Sequence, residues 1–495
     1  MKRYCYSVTG NRVWFKVAER LYKDKIAEPV LWLGDDVHFE NATNLFGRDV
    51  VLRMLDFVHY QHNIPNFKYD GESLGFFGSE NYLRAKDRCI KMIDRLDLYG
   101  SYSRIDREAV FNKLAIFYLQ KINKAKPDAL IVAEAPHSHA QYLMYEICLY
   151  LRIKVAKFNT WMPVPLLYLQ DMVSGKRQKR MIPFDEDLKI SIQDELKTYF
   201  DGLLSIEKSV NYEVDYIRKQ RLANRRFVKF YSFLKFEAFN LAREALGQLK
   251  RYYDGNYYPV NPYRLGLLTR QKIKTRRQKN LINQFNKNVD RLEFKNKFVY
   301  FALHYEPERT TNPDGFQYHD QLIALLELRN FLPKKIDIIV KEHPSQFFMS
   351  DKGSRGRSPL FYNITKNLRG VKLADVTQNS VALLKKSEFI ATISGNVALE
   401  AAVLGKKAII FGDSWFNGCP NIVTWSTELE YNDFSNSPVA SVPKILEYIE
   451  LSLDNHAIPG FQNNSCENRL SKFDNPRFRE GELKGICHLI ERYLE

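Results

Sequence analysis

Four short clusters in this 495-residue chain carry side chains able to do chemistry. Lys341 and His343 end the run Ile338-Ile-Val-Lys-Glu-His-Pro344, where Pro344 restricts the histidine to extended backbone. A lysine and a histidine at the mouth of a strand can hold a phosphate and neutralise charge as a leaving group departs. Ser394-Gly395-Asn396 opens an apolar helical pattern reaching Leu404. Small residues there let a phosphate approach backbone N–H groups at a helix N-terminus. Glu400 is the one charge inside that run, placed either to reach ribose hydroxyls or to face solvent. His304, Glu306 and Glu308 share a loop after Tyr300-Phe-Ala-Leu303. A carboxylate there can act as general base or as a nucleophile, or the loop is plain surface with Glu308 paired to Arg309. Glu134 and His137 lie in a Pro- and His-rich loop after Ala129–Ala133. Glu134 is a catalytic carboxylate or a cap of the next helix, and His139 reads as a surface or capping histidine.

The elements that must position these groups alternate between strand and helix. Polar residues at the carboxyl ends of successive buried strands mark the ligand crevice of an open α/β sheet. Residues 1–168 read as a first Rossmann-like domain and 293–495 as a second, nucleotide-binding one. Between them, 169–292 reads as a helical insertion, with helices over 185–200 and 206–249 and a basic one over 269–285. The turn Gly34-Asp35-Asp36 touches an acceptor or caps a helix. Neither GxxxxGK[ST] nor GxGxxG occurs, which argues against a P-loop ATPase.

The net charge of +16 is concentrated. Arg218 to Asn280 holds seventeen Lys/Arg against Glu237, Glu244 and Asp254, so +14 of the total lies in that stretch. Basic residues interleaved with Phe227, Tyr231, Phe233 and Phe236 fit binding to an anionic membrane surface, or a solvated helical hairpin. No zinc spacing or RNP-like signature accompanies them, so nucleic acid is not the expected partner. The six cysteines form no CxxC pair, so neither disulfides nor a metal is expected. No run of about 18 apolar residues is present and Met1–Ser7 lacks a signal-like h-region. The expected location is cytoplasmic, peripheral at the inner face of the cytoplasmic membrane.

Taken together, Glu134-Ala-Pro-His137 before Tyr142 and Tyr145-Glu146, His304-Tyr-Glu-Pro-Glu308, Lys341-Glu-His-Pro344 and Ser394-Gly-Asn396…Glu400-Ala…Gly405-Lys resemble the capsule polysaccharide biosynthesis family. That family includes retaining β-Kdo transferases. The resemblance spans about 127–165 and 298–415. It implies an α/β GT-B-like fold, two Rossmann-like domains facing across a cleft. It also implies a glycosyltransferase needing no metal and no cofactor beyond its nucleotide-sugar donor, here a CMP-activated ulosonic acid such as Kdo or a nonulosonic acid. The acceptor would be a glycan or glycolipid. Carried over by position, Lys341 and His343 would hold the CMP phosphate, and Ser394, Gly395, Asn396 and Glu400 would line the nucleotide site. Glu134 would serve acid/base chemistry, and Glu306 or Glu308 would be the nucleophile. His137 and His304 would lie on the acceptor side. Rival readings are a UDP-sugar or CDP-polyol-phosphate transferase, a sugar-nucleotide isomerase, and a non-catalytic membrane- or nucleic-acid-binding scaffold.

Overall fold

The computed structural model describes residues 1–34, 36–54, 57, 74–96, 103–161, 164–206, 267–307, 311–348 and 353–495. The chain divides into two compact α/β units. One comprises Met1–Leu96, Tyr102–Gly202 and Pro443–Glu495, and the other is chiefly Leu203–Val442.

In the first unit, β1 (Lys2–Ser7), β2 (Ala27–Gly34), β3 (Val51–Arg53), β4 (Ala129–Val132) and β5 (Lys154–Trp161) pair in parallel. β6 (Leu166–Asp171) and β13 (Ile458–Pro459) extend the sheet in antiparallel fashion, giving the order β13-β6-β5-β4-β1-β2-β3. Both faces are covered, as parallel sheets require. Tyr4, Tyr6, Ile131 and Phe158 point to one core with Trp14 and Ile490, while Cys5, Leu130, Val132 and Val155 point to the other with Phe111 and Leu143. The helix Arg12–Lys23 buries Val13, Trp14, Val17, Ala18 and Leu21, one face at helical spacing, and begins where the Asn11 side chain accepts the Val13 N–H.

The second unit repeats the plan. β7 (Phe298–Ala302), β8 (Asp337–Lys341), β9 (Val371–Ala374), β10 (Ile390–Thr392), β11 (Ala408–Ile410) and β12 (Ile422–Thr424) are all parallel, in the order β12-β11-β10-β7-β8-β9. The first strand of the unit lies in the middle. The chain winds outward through β8 and β9, then crosses to the other side of β7 to lay down β10, β11 and β12. The reversal leaves the connections after β7 and β10 diverging, and ligands of such sheets bind in that gap. In the first unit the equivalent reversal separates β1 from β4. Each unit is Rossmann-like.

The division differs from the sequence reading at the chain's end. That reading ran the second domain to residue 495, whereas Pro443–Glu495 belongs to the first unit. The cause is burial: Ile486, Leu489 and Ile490 of the helix Pro476–Leu494 fill the core beside Tyr4, Trp14 and Leu21. The expected insertion is also shared out. Its first residues complete β6 and lead to the helix Glu186–Ile206, and its last part is the helix Leu267–Asn288, which buries Leu281 and Phe285 in the core of the second unit. The stretch 207–266, with most of the basic cluster, lies outside the described residues, as does Asp35 of the Gly34-Asp35-Asp36 turn.

Candidate functional site

Pairing of β7 with β10 sets Ala302 opposite Thr392, so the chain leaves both strands at the same level. His304 fills the gap between them. Its Nε2 accepts the Ser394 N–H at 3.2 Å and lies 3.3 Å from Thr392 Oγ1, which donates to the Ala302 carbonyl. An acceptor Nε2 puts the ring proton on Nδ1. Burial, reinforced by His343 and Arg357, pulls the pKa of His304 down to about 3, so the ring is neutral. A Cβ at position 395 would stand 3.0 Å from Thr392 Oγ1 and 3.3 Å from His304 Nε2, so Gly395 permits this close approach. The resemblance gave His304 an acceptor-side role; in the structure its ring is tied to the Ser-Gly-Asn turn.

One strand over, Lys341 ends β8 opposite Ala302 and is 5% exposed. Among the described residues its ammonium has no hydrogen-bond or ion-pair partner. Burial lowers its pKa to about 8 against the opposing pull of Glu342 and Asp375, so it remains mainly charged at neutral pH. His343 accepts the Ser345 N–H on Nδ1 at 3.1 Å, which leaves the proton on Nε2. Burial and then Lys341 lower its pKa to about 4.

Ser394 Oγ is buried without a hydrogen-bond partner among the described residues. Asn396 starts the next helix with φ −58° and ψ −17°, makes no side-chain cap and is exposed. That helix, Val397–Val403, is only seven residues long, so its dipole is a minor source of anion attraction. Glu400 is half-buried on it, has no hydrogen-bond or ion-pair partner among the described residues, and has its pKa raised by burial.

Glu306 is held from several sides. Its Oε1 accepts from Thr311 Oγ1 at 2.7 Å and Gln321 Nε2 at 2.9 Å. Gln346 accepts its N–H at 2.8 Å and donates to its carbonyl at 2.9 Å. Glu308, and the Arg309 proposed to pair with it, lie outside the described residues.

In the first unit, Glu134 and His137 follow β4 at the other reversal. His137 Nδ1 donates to the Ala135 carbonyl at 3.0 Å and lies 3.4 Å from Glu134 Oε1. Glu134 Oε2 accepts from Asn463 Nδ2 at 3.1 Å. Glu134 does not cap the next helix, because Ser138 does so in a capping box with Gln141. His139 corrects another expectation: it is fully buried, with Nε2 3.0 Å from the Phe57 carbonyl, since the first turn of its helix faces the core.

Sequence reasoning missed Gln321, Gln346, Arg357, Thr392 and Asn463. Each acts through a partner 15 to 329 residues away, as Gln321 does on Glu306 and Asn463 on Glu134, and no local pattern marks such pairs. All six cysteines are free. Among the described residues no cluster of three or more His, Cys, Asp or Glu is arranged to hold a metal ion, and no helix is long and apolar enough to cross a membrane.

No family model and no curated protein matches the chain. Among solved structures of similar shape is the β-Kdo 2,7 transferase of Thermosulfurimonas dismutans KpsC, 10% identical, covering 75% of this chain and 90% of that one at a TM-score of 0.28. The β-Kdo 2,4 transferase of the same KpsC is 13% identical over 64% of this chain and 78% of that one, at 0.24. The UDP-GlcNAc 2-epimerase of Neisseria meningitidis is 12% identical over 100% and 99%, at 0.23. At such scores the fold assignment rests on the chain's own strand order and pairing.

Proposed function

We propose that the chain is a glycosyltransferase of bacterial surface polysaccharide synthesis. It moves a sugar, a CMP-activated ulosonic acid such as Kdo or a nonulosonic acid, onto a glycan or glycolipid acceptor. The observation that carries this reading is Lys341. A charged ammonium, nearly out of water and without a protein partner among the described residues, stands at the carboxyl end of the strand next to the reversal. Such a group is expensive unless an anion meets it. The Nε2–H of His343 and the Ser394 hydroxyl supply uncharged donors close in the fold, and Glu400 supplies the acceptor that a ribose diol needs. A nucleotide phosphate with its ribose satisfies all four.

In the proposed reaction the bond from the anomeric carbon to the CMP phosphate oxygen breaks, and CMP leaves with the bonding pair. Lys341 and His343 meet the charge that appears on the phosphate. Glu306, fixed by Thr311, Gln321 and Gln346, is the candidate carboxylate to attack the anomeric carbon. The acceptor oxygen then displaces it and releases its proton to water; Glu134, in the first unit, is proposed separately as an acid/base carboxylate. The basic stretch from Arg218 to Asn280 would hold the enzyme on an anionic membrane surface, where a lipid-linked acceptor resides. Its described end presents Arg276, Arg277 and Lys279 to solvent.

The test is calorimetric titration with CMP, UDP and CDP, using His343→Ala as control. The expected result is preferential CMP binding, weakened at least tenfold in the variant. Preference for UDP would overturn the donor assignment, and absence of binding to all three would overturn the nucleotide-sugar reading itself.

A further inference from the structure

The two histidine loops are joined by a buried ion pair whose geometry does more than neutralise charge. Glu342 is fully buried and Arg357 is 5% exposed. Arg357 Nε donates to Glu342 Oε2 at 3.0 Å and Nη2 to Oε1 at 3.3 Å, while Nη2 also reaches the His304 carbonyl at 3.0 Å. Glu342 in turn accepts the His343 N–H at 3.0 Å and the Tyr362 hydroxyl at 2.9 Å. The guanidinium lies 4.4 Å from the centre of the Phe361 ring. A buried ion pair is weak evidence for stability, since an apolar pair of similar volume often does as well. An apolar pair could not, however, bind the backbone carbonyl of one loop and the backbone N–H of the other.

We propose that Arg357, acting with Glu342, is a positioning residue that fixes His304 and His343 relative to one another. The claim that this matters for ligand binding rests on the reading of Lys341 and His343 as a phosphate site. The positioning itself does not. The chain of contacts is continuous. The His304 carbonyl is held by Arg357 Nη2 and by Gln321 Nε2, and its ring is thereby aimed at the Ser394 N–H. The His343 N–H is held by Glu342, and its ring is thereby aimed at the Ser345 N–H. Lys341 directly precedes Glu342, so the same anchor sets where the ammonium emerges from β8. The planar fork suits the role, because it holds its donors in fixed directions, whereas a lysine ammonium carries three rotatable donors on one atom and fixes neither partner as firmly.

The experiment compares the full-length protein with Arg357→Lys, which keeps the charge, and with the double variant Arg357→Met/Glu342→Leu, which removes both charges and leaves no buried ion unpaired. Two readouts are taken on each protein that melts cooperatively: the imidazole nitrogen shifts of His304, and a CMP titration. The expected result is a single Nδ1–H tautomer at His304 in the wild type, a mixture of tautomers in both variants, and a CMP Kd raised at least tenfold. Unchanged His304 nitrogen shifts in either folded variant would overturn the proposal. If the shifts move but the wild type itself binds no CMP, positioning stands and the nucleotide reading falls.

Discussion

Lys341 keeps its charge in a place that opposes it. Its pKa of about 8 means the ammonium is present at pH 7 and lost as pH rises through 8. CMP affinity is therefore expected to fall between pH 7.5 and 9.5 in the wild type. Lys341→Met should bind more weakly by roughly 10- to 100-fold, the worth of a hydrogen bond to a charged group, and be flat across that range. A pH-dependent affinity in the variant would show that another group carries the anion. The places of Lys341, His343, Ser394 and Glu400 at strand ends or on the following helix were legible in the sequence, because each lies in or beside a β-branched or apolar run. Arg357 was not: it lies between two short helices, Gly353–Gly356 and Pro359–Asn367, where no period distinguishes it from a surface arginine. That Glu306 is held in place was also beyond the sequence, since the hydrogen bonds that fix it come from Thr311, Gln321 and Gln346.

The loops after β7 and β8 are built around two neutral histidines, and this has a consequence for the second unit as a whole. In the unfolded chain each histidine titrates near 6.5, whereas burial holds His304 at about 3 and His343 at about 4 in the fold. As pH falls below 6.5 the unfolded state takes up protons that the folded state refuses, so stability drops; above 6.5 both states are neutral and the stability is fully present. Each histidine adds about 1.4 kcal/mol per pH unit to that slope. Melts of His304→Gln and His343→Gln between pH 6.5 and 5 are expected to depend less on pH than wild type, and an identical slope would refute the assignment. Elements of this kind were readable in outline. Alternating apolar runs predicted parallel strands, and the predicted helix over 185–200 is observed as Glu186–Ile206. What could not be read is that β7 sits centrally, because strand order depends on which crossover goes which way, and no residue encodes that locally.

At the scale of the whole chain, the return of Pro443–Glu495 to the first unit was hidden because an amphipathic helix does not name the core it enters. The charge distribution, by contrast, was plain. With +14 of the net charge between Arg218 and Asn280, binding to vesicles containing anionic lipid is expected, lost by 0.5 M salt and absent on neutral lipid. Equal binding to neutral vesicles would reject an electrostatic attachment. The helix Leu267–Asn288 adds a constraint on how that segment can be altered. Its Gln278, 7% exposed, donates to the Gln346 carbonyl at 3.0 Å and accepts the Ser354 N–H at 2.8 Å, and Gln346 is the residue that clasps Glu306. The basic segment is therefore not a detachable cassette. A shortened chain, or a chimera that borrows the segment from elsewhere, has its seam upstream of Gln278; a cut beyond it would take a beam out of the candidate site along with the charge.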